Sequence, residues 1–542
     1  MLDMKIVGGT IIDGTGRRRY KADLGIMGEE IVEIGDLTET PAKEVIDASG
    51  KFVAPGFIDM HTHSDISILV DHHASSKIYD GVTTEVIANC GIGVAPISEE
   101  RKPDLINYLG TRLIGSIPIK LELPWNTMDE YFDTVDKAAP ALNIAPLLAQ
   151  GAIRINEMGF AQGMPNREQL DRMKAEVAKA MEAGCLGLTS GLVYMPGEYT
   201  CPEEIGELCS VVKKYNGYYT THMRNEGNSI WPSIDEVVKT AKLGGCDLHV
   251  SHLKLMGSEV RGDHEKLLSL LEGLREDGFN VTWDAYPYNA GCTSLGACMP
   301  PWAFEGGVDS LLERLTSADM RARIRKDIEE GIPGWENFCQ AAHGWDNIPI
   351  ATVSTEDSKK YLGMMIGDAA RAEGKDSFEF VFDFMIKERG RVQIITNGAM
   401  IEEDVTAIMS HPDTMIGSDG MCLSTKGVLS AGKPHPRAFG TRARFLSRYV
   451  RGKGVDSLEN AVARLTSKAA ARLGLKKRGT LETGCYADVV VFDYENVQDH
   501  ATFTEPQQYS TGFDAVIVNG KLALKDGVEM ESFSGRVLRG GK

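Results

Sequence analysis

The strongest constraint on the fold is a repeated alternation of short apolar runs with helix-like stretches between about Val53 and Leu475. The apolar runs are Thr84–Ile87, Asn143–Leu148, Gly187–Thr189, Tyr218–Thr221, Leu248–Ser251, Val281–Ala285 and Met415–Ser418. Helical patterns between them include Arg167–Ala183, Pro202–Tyr215, Ser233–Leu243 and His264–Glu276. Strand, helix and strand in repetition indicate a parallel α/β fold. About eight such units predict a (β/α)8 TIM barrel with insertions.

Both ends of the chain show short strands and turns instead. The N-terminal strands are predicted at Lys5–Val7, Ile11–Ile12, Leu24–Met27 and Ile31–Ile34, and the C-terminal strands at Asp488–Asp493 and Ala515–Gly520. We therefore expect residues 1–54 and 476–542 to form one small β-sandwich, with residues 55–475 as the barrel domain. The Pro-, Gly- and Trp-rich segment at about 296–350 interrupts the barrel pattern and predicts a lid insertion.

Charge and composition narrow the classes of partner. The 58 basic and 77 acidic side chains give a net charge of -19, which argues against nucleic acid or an anionic membrane as a partner. No apolar stretch approaches the roughly 18 residues of a membrane span, and the first residues lack the apolar core of a signal peptide. The ten scattered cysteines suggest free thiols or metal ligands. We predict a cytoplasmic protein and leave a homo-oligomer open.

The sharpest chemical signal is the segment from Pro55 to His63, in which an apolar run ends in His61-Thr62-His63. On an extended chain, positions i and i+2 face the same way, so two imidazoles can hold one divalent metal. A barrel places such residues at its active-site end. A surface pair of histidines is the alternative. Asp65 is expected to support a ligand as an outer carboxylate.

Three more residues occupy strand-end positions that suit metal ligands. His222 and His252 end predicted strands one βα unit apart, so their side chains can converge, whereas His249 is expected to face away from His252. Cys90 follows an apolar run and enters a Gly-rich turn. A lone cysteine is usually a small buried apolar residue, but near four barrel histidines a thiolate ligand that can bridge two ions is favoured.

Asp419 follows the last apolar run, in Gly417-Ser-Asp-Gly420. A plain Ser-Asp-Gly turn is the simpler explanation for this carboxylate. Its place on a late barrel strand predicts a general base next to a metal.

Taken together, these motifs resemble the amidohydrolase superfamily and, within it, the D-aminoacylase (N-acyl-D-amino-acid deacylase) family, over nearly the whole chain. The motifs that carry the resemblance are Pro55–His63, Asn89–Gly91 with Ala95-Pro96, Leu188–Gly197, Thr221–Glu226, Ser251–Lys254, Asp284–Tyr288, Gly417–Gly420 and His435–Arg437.

The resemblance implies zinc-dependent hydrolysis of small N-acyl-D-amino acids. Its implied ligands are Cys90, His222 and His252 for a tightly bound zinc, and His61 and His63 with Cys90 for a second, weaker position. It also implies that Asp419 is the catalytic acid/base, that Arg437 and Tyr286 hold the substrate carboxylate and that Tyr194 lies near the scissile amide. Lys254 and Cys292 complete the predicted substrate-binding set.

Three departures from the family pattern lie near the predicted pocket: Gln150 where a His is usual, Cys292 where a Ser is usual, and a longer stretch between Asp419 and Arg437. We therefore expect an altered substrate preference. Three alternatives stay open: a cyclic amide hydrolase of the dihydroorotase or hydantoinase type, a D-residue dipeptidase, and a non-catalytic scaffold. Cys90 argues against the first, since those enzymes commonly use a carboxylated Lys, and the complete ligand set argues against the last.

Overall fold

A computed structural model of the chain describes residues 1–114, 117 and 119–541. Eight parallel strand positions form the central barrel. They are Phe57–Asp59, Val82–Ile87, Asn143–Pro146 continued by Leu148–Ala149, Gly187–Gly191, Tyr218–His222, Leu248–Val250, Val281–Ala285 and Met415–Ile416. The last position meets the first through a backbone hydrogen bond from Met60 to the carbonyl of Ile416 (3.4 Å) and a parallel bridge between Thr62 and Gly420. The predicted barrel is confirmed.

Helices follow the strands and cover the barrel. The longer ones are Lys102–Leu109, Met128–Ala138, Gln150–Met158, Arg167–Ala183, Pro202–Val212, Ile230–Gly244, His264–Glu276, Glu402–Ser410, Arg437–Arg444, Leu458–Leu465 and Ser467–Leu473. Local chemistry sets their ends. The helix Arg167–Ala183 starts at Asn166, whose side chain accepts from the NH of Gln169 in a capping box, and stops at Gly184, whose φ of 119° favours glycine.

Two sheets built from both ends of the chain pack around a separate core. The first has the order Glu30–Gly35, Asp23–Met27, Leu2–Val7, Ala42–Asp47, and the second Val528–Glu529, Lys521–Lys525, Phe513–Val518, Val489–Phe492, Phe52–Pro55, Thr10–Ile11, Tyr20–Lys21. Their shared core includes Ile6, Leu24, Val53, Val491 and Ile517. The predicted β-sandwich is confirmed. Its boundaries in the sequence, residues 1–54 and 476–542, stay a prediction.

The last residues of the chain lie against the barrel and not within the two sheets. Val537 forms a parallel bridge with Ile144, and the NH of Gly540 donates to the carbonyl of Gly184 at 2.8 Å. This segment joins the barrel because the strand Asn143–Pro146 has backbone groups to pair at that edge.

The insertion between the last two barrel strands is longer than the pattern at 296–350 suggests. Its antiparallel sheet has the order Gly291–Ser294, Gln393–Thr396, Ile350–Thr352. Its helices are Val308–Arg314, Ala318–Glu330, Phe338–Ala341, Ile366–Ala372 and Ser377–Lys387. Because regular strands lie near both ends of the insertion, its composition alone does not show where it begins and ends.

No helix in the described part of the chain combines the length and apolarity needed to cross a membrane.

Candidate metal centre and substrate cavity

The carboxyl ends of the barrel strands gather the predicted ligands in one buried place. His61, Cys90 and Asp419 follow their strands within three residues, His222 is the last residue of its strand, and His252 follows a strand by two residues. His61, Cys90 and His252 are each at most 2% exposed. Parallel strands explain this convergence, because their carboxyl ends open on one face of a barrel.

Cys90 is the centre of the cluster. Its Sγ lies 3.3 Å from Nε2 of His61 and 3.3 Å from Nε2 of His252. A zinc ion with bonds of about 2.3 Å to sulfur and 2.0 Å to nitrogen would hold such atoms about 3.5 Å apart. Cys90, His222 and His252 form one group whose potential ligand atoms all lie within 4.8 Å of one another. Among the described residues, neither ring nitrogen of buried His222 has a hydrogen-bond partner, which fits a role as a metal ligand.

A second group shares the same sulfur. His61, His63, Cys90 and Asp419 also have their potential ligand atoms within 4.8 Å. Oδ1 of Asp419 lies 3.0 Å from Nε2 of His63 and 3.6 Å from Nε2 of His61. Two overlapping groups with one common thiol can therefore hold one ion or two.

Burial sets the protonation of these predicted ligands. It lowers the pKa of His222 and of His252 well below the ordinary histidine value, so both rings are neutral and keep a lone pair for a metal. Burial also raises the pKa of the Cys90 thiol well above its ordinary value, with further increases from nearby carboxylates. A thiolate here requires a bound cation to offset that cost.

The backbone at the centre is unusual. Cys90, His252 and Asp419 have φ angles of 56°, 37° and 51°, in the left-handed region that non-glycine residues rarely adopt. Gly191 lies against the first of these turns, since a Cβ on it would meet the carbonyl oxygen of Cys90 at 2.0 Å. The cluster is thus held by close backbone packing as well as by side chains.

Two carboxylates that the sequence did not single out stand behind the ligands. Glu226 lies 3.1 Å from Nδ1 of His252 and 3.4 Å from Nε2 of His222, and it accepts two bonds of 2.7 Å from Lys254. Asp284 lies 3.5 Å from Nδ1 of His61. Both residues lie inside the motifs named above, and an acidic residue beside a strand end is the sequence signal that could have identified them.

The prediction that Asp65 supports a metal ligand is wrong. Asp65 has no side-chain hydrogen bond among the described residues, and burial next to Glu85 raises its pKa to about 7. The strand ends at Asp59, so the alternation of an extended chain no longer fixes the direction of residue 65. Asp284 takes the supporting place, and His249, which joins neither ligand group, bonds to it at 2.9 Å.

A cavity with about 870 Å³ of empty space, including the solvent at its open mouth, adjoins the second ligand group. Its wall includes His63, Asp419, Arg437, Tyr194 and Cys292. The stretch between Asp419 and Arg437 supplies much of the apolar wall, through Met421, Leu423, Val428, Leu429 and Pro434. The longer sequence there therefore shapes the space next to the metal centre.

Arg437 connects the cavity to Asp419. Its Nη2 lies 2.9 Å from Oδ2 of Asp419, and its guanidinium stacks over the ring of Tyr286 at 4.7 Å. Its Nη1 has no hydrogen-bond partner in the described part of the chain. Burial opposes the charge on Asp419, but Arg437 and the hydrogen bond with His63 outweigh it and place the pKa of Asp419 well below its ordinary value.

The other predicted substrate-binding residues fall into two sets, one on the wall of the large cavity and one in a neighbouring pocket. The hydroxyl of Tyr194 lies 3.2 Å from that of Thr293, and Cys292 Sγ lies 3.9 Å from Oε1 of Gln393. Tyr286 and Lys254 line a smaller neighbouring pocket and not the large cavity.

The places of Gln150 and Arg112 in the structure could not be predicted from the sequence. Gln150 is buried against Glu204, to which its Nε2 donates at 3.3 Å, and it joins neither metal-ligand group. Arg112 lines the large cavity, although its sequence surroundings carry no motif. Only the fold brings it to the site.

Comparison with known proteins agrees with this architecture. The model of the amidohydrolase family matches residues 44–523. Over 538 residues the chain is 32% identical to the D-aminoacylase of Alcaligenes xylosoxydans xylosoxydans, covering 99% of this chain and 97% of that protein.

Two solved structures are similar over their full length. N-acyl-D-glutamate deacylase from Bordetella bronchiseptica, complexed with zinc and a phosphonate mimic of the tetrahedral intermediate, matches with a TM-score of 0.82, 32% identity and 99% coverage of each chain. A D-aminoacylase described as having a binuclear metal center, with one-metal activation and second-metal attenuation, matches with a TM-score of 0.81 and 30% identity over 99% of this chain and 100% of that one. Its motifs, its fold and these matches show that this chain belongs to the amidohydrolase family.

Proposed function

We propose that this protein is a zinc-dependent N-acyl-D-amino-acid deacylase, which hydrolyses the amide of its substrate to a carboxylate and a free D-amino acid. The observation that carries the proposal is the sharing of Cys90 by two ligand groups, one of which contains the carboxylate of Asp419 held by Arg437. The names of the full-length relatives, D-aminoacylase and N-acyl-D-glutamate deacylase, support the same substrate class.

The donor set fits zinc. One sulfur and several imidazoles, spaced as a tetrahedral ion requires, are the ligands zinc prefers. We assign Cys90, His222 and His252 to a tightly bound ion, and His61 and His63 with Cys90 to a second, weaker position that Asp419 adjoins. Bound zinc lowers the pKa of water to about 7 and polarises a carbonyl.

Asp419 is the proposed acid/base. Because its pKa lies well below the ordinary value, it is ionised at neutral pH and can take a proton from the attacking water. The same carboxyl then delivers that proton to the amine nitrogen as the C–N bond breaks. His63 and Arg437 hold its two oxygens, at 3.0 and 2.9 Å, and so keep it oriented for both transfers.

Arg437 is the proposed clamp for the substrate carboxylate. Its unpartnered Nη1 belongs to a guanidinium that lines the cavity, and a guanidinium binds a carboxylate through two parallel hydrogen bonds. We keep Tyr286 and Lys254 in the substrate-binding set, because the Lys254 ammonium lies 5.7 Å from the Tyr286 ring on which Arg437 also stacks. Tyr194 and Cys292 are proposed to contact the substrate from the opposite wall.

A substrate panel tests the proposal. Matched N-acetyl-D- and N-acetyl-L-amino acids, a D-containing dipeptide and a hydantoin are incubated with the zinc-loaded enzyme, and released amine or ring opening is measured. We expect turnover of the N-acetyl-D series and loss of that turnover after chelation. Turnover of only the L series would contradict the substrate assignment, and turnover of only the hydantoin would favour the cyclic amide alternative. A cytoplasmic location and a homo-oligomer stay predictions.

A further inference from the structure

Arg112 is a second guanidinium on the wall of the large cavity. It belongs to the segment Gly110–Ile114, which follows the helix Lys102–Leu109. Its guanidinium stacks on the ring of Tyr194 at 4.4 Å, and its Nη1 donates to the hydroxyl of Ser294 at 2.5 Å. Its Nε is buried and has no hydrogen-bond partner among the described residues.

The charge of Arg112 is not balanced locally. No carboxylate of the described residues forms an ion pair with it, whereas Arg437 pairs with Asp419. Arg112 is half-buried, and a guanidinium that is partly removed from water is stable only where an anion or strong acceptors replace that water. The adjacent residue Leu113, which also lines the cavity, offers no such acceptor.

The cavity as a whole therefore has a surplus of positive charge. Its described lining contains two guanidinium groups, those of Arg112 and Arg437, and one carboxylate, that of Asp419. A single substrate carboxylate at Arg437 would leave Arg112 unpaired. A second anionic group on the substrate would satisfy it.

The strand Gly291–Ser294 fixes the spacing between the two guanidinium groups. Arg437 Nη2 donates to the carbonyl of Cys292 at 3.4 Å, and Arg112 bonds to Ser294, two residues further along. Two residues of a strand span about 6.7 Å. Two carboxylates joined by two or three carbons lie roughly 5 Å apart, so one small diacid can reach both guanidinium groups.

Arg112 is also held in place from behind. Gln393 donates from Nε2 to the backbone carbonyl of Arg112 at 2.8 Å, and its strand pairs Gln393 with Ser294 in the antiparallel sheet of the insertion. Both ends of the residue, backbone and guanidinium, are thus fixed to the same pair of strands. Such fixing reduces the entropy lost when an anion binds.

We propose that Arg112 binds a second carboxylate of the substrate, so that the preferred substrates are N-acyl-D-amino acids carrying an additional acidic group. This inference rests on the proposed deacylase function and adds a substrate class to it. The acidic group belongs either to the amino-acid side chain, two or three carbons from the α-carboxylate, or to the far end of a dicarboxylic acyl group such as succinyl, where five atoms separate the two carboxylates. Both lengths are compatible with a span of about 6.7 Å.

Matched acid and amide substrates test the inference. The zinc-loaded enzyme is assayed with N-acetyl-D-glutamate against N-acetyl-D-glutamine, and with N-succinyl-D-alanine against its succinamoyl counterpart. A charge-assisted hydrogen bond of about 1.5–3 kcal/mol corresponds to a preference of roughly 10- to 150-fold in kcat/KM. The pair that shows this preference identifies which end of the substrate carries the acid.

Variants then connect the preference to Arg112. In Arg112→Gln the acid-to-amide ratio should fall towards 1, mainly through KM, because the contact is made in both ground and transition states. Arg112→Lys, which keeps the charge without the fork, should give an intermediate ratio. Arg323→Gln removes a guanidinium that also stacks on an aromatic ring, that of Trp302, but does not line the cavity, and it should keep the wild-type ratio.

The outcomes separate the two proposals. Equal turnover of acid and amide partners by the wild-type enzyme would overturn the role of Arg112 while leaving the deacylase intact. A preference that persists in both Arg112 variants would overturn it as well. Absence of turnover for every N-acyl-D-amino acid, with zinc bound, would instead overturn the proposed function itself.

Discussion

Replacing Asp419 by Asn tests the central step of the mechanism. The amide has the shape of the carboxylate and can still accept from Arg437, which lies 2.9 Å from the present Oδ2. It cannot take a proton from water or return one to the amine. General acid–base catalysis contributes about 10²- to 10⁴-fold, so kcat should fall by that factor, or about 2.7–5.4 kcal/mol in activation free energy.

The same variant should keep its zinc. The group of Cys90, His222 and His252 does not include Asp419, so the tightly bound ion loses no ligand. Unfolding should become easier by about 1–3 kcal/mol, because a buried guanidinium exchanges a charged acceptor for a neutral one. Zinc content is measured by mass spectrometry, and turnover by released amine.

Asp413→Asn is the matched control. Asp413 precedes the same barrel strand at its opposite end and pairs with Arg275 and Lys468 at 2.7 Å each. Its loss should leave kcat within about twofold of the wild type, since surface ion pairs contribute little beyond local stability. If Asp419→Asn retained zinc and turned over within tenfold of the wild type, Asp419 would not be the acid/base.

Three further predictions concern the centre and the fold. Cys90→Ser should weaken zinc binding, measured by competition with a chelator, by more than about 100-fold, because changing a residue behind a metal ligand already costs up to about that factor. Unchanged affinity would show that the sulfur is not a metal ligand. Gly191→Ala should displace the Cys90 turn and cost about 1–3 kcal/mol of stability, since its Cβ would meet backbone atoms at 2.0 and 2.8 Å, whereas helical Gly273→Ala, with nothing within 4 Å, should be neutral or stabilising in thermal unfolding. The hydrogen bond from Arg19 lowers the pKa of Glu459 from 4.5 to about 2, so its stabilisation is complete above pH 4.5 and is lost as the pH falls towards 2. The gap in urea midpoint between the wild type and Glu459→Gln should therefore be wider at pH 7 than at pH 3.5, and a constant gap would count against the ion pair.

The family and the candidate ligand residues could be predicted from the sequence because they depend on short-range patterns. Apolar runs of strand length predicted the barrel strands, and the helices Arg167–Ala183 and His264–Glu276 have the bounds that their helical patterns predict. The histidines at strand ends followed from the same periodicity, since parallel strands open on one face.

The tertiary structure decided which distant residues meet. Asp65 lies only two residues from His63 but contacts no ligand, because alternation ends where the strand ends. Asp284 stands behind His61, and Arg112 reaches the cavity beside Ser294 across 182 residues of sequence. A local pattern determines the direction of a side chain within an element, but contacts between elements depend on loops and insertions whose packing has no sequence period.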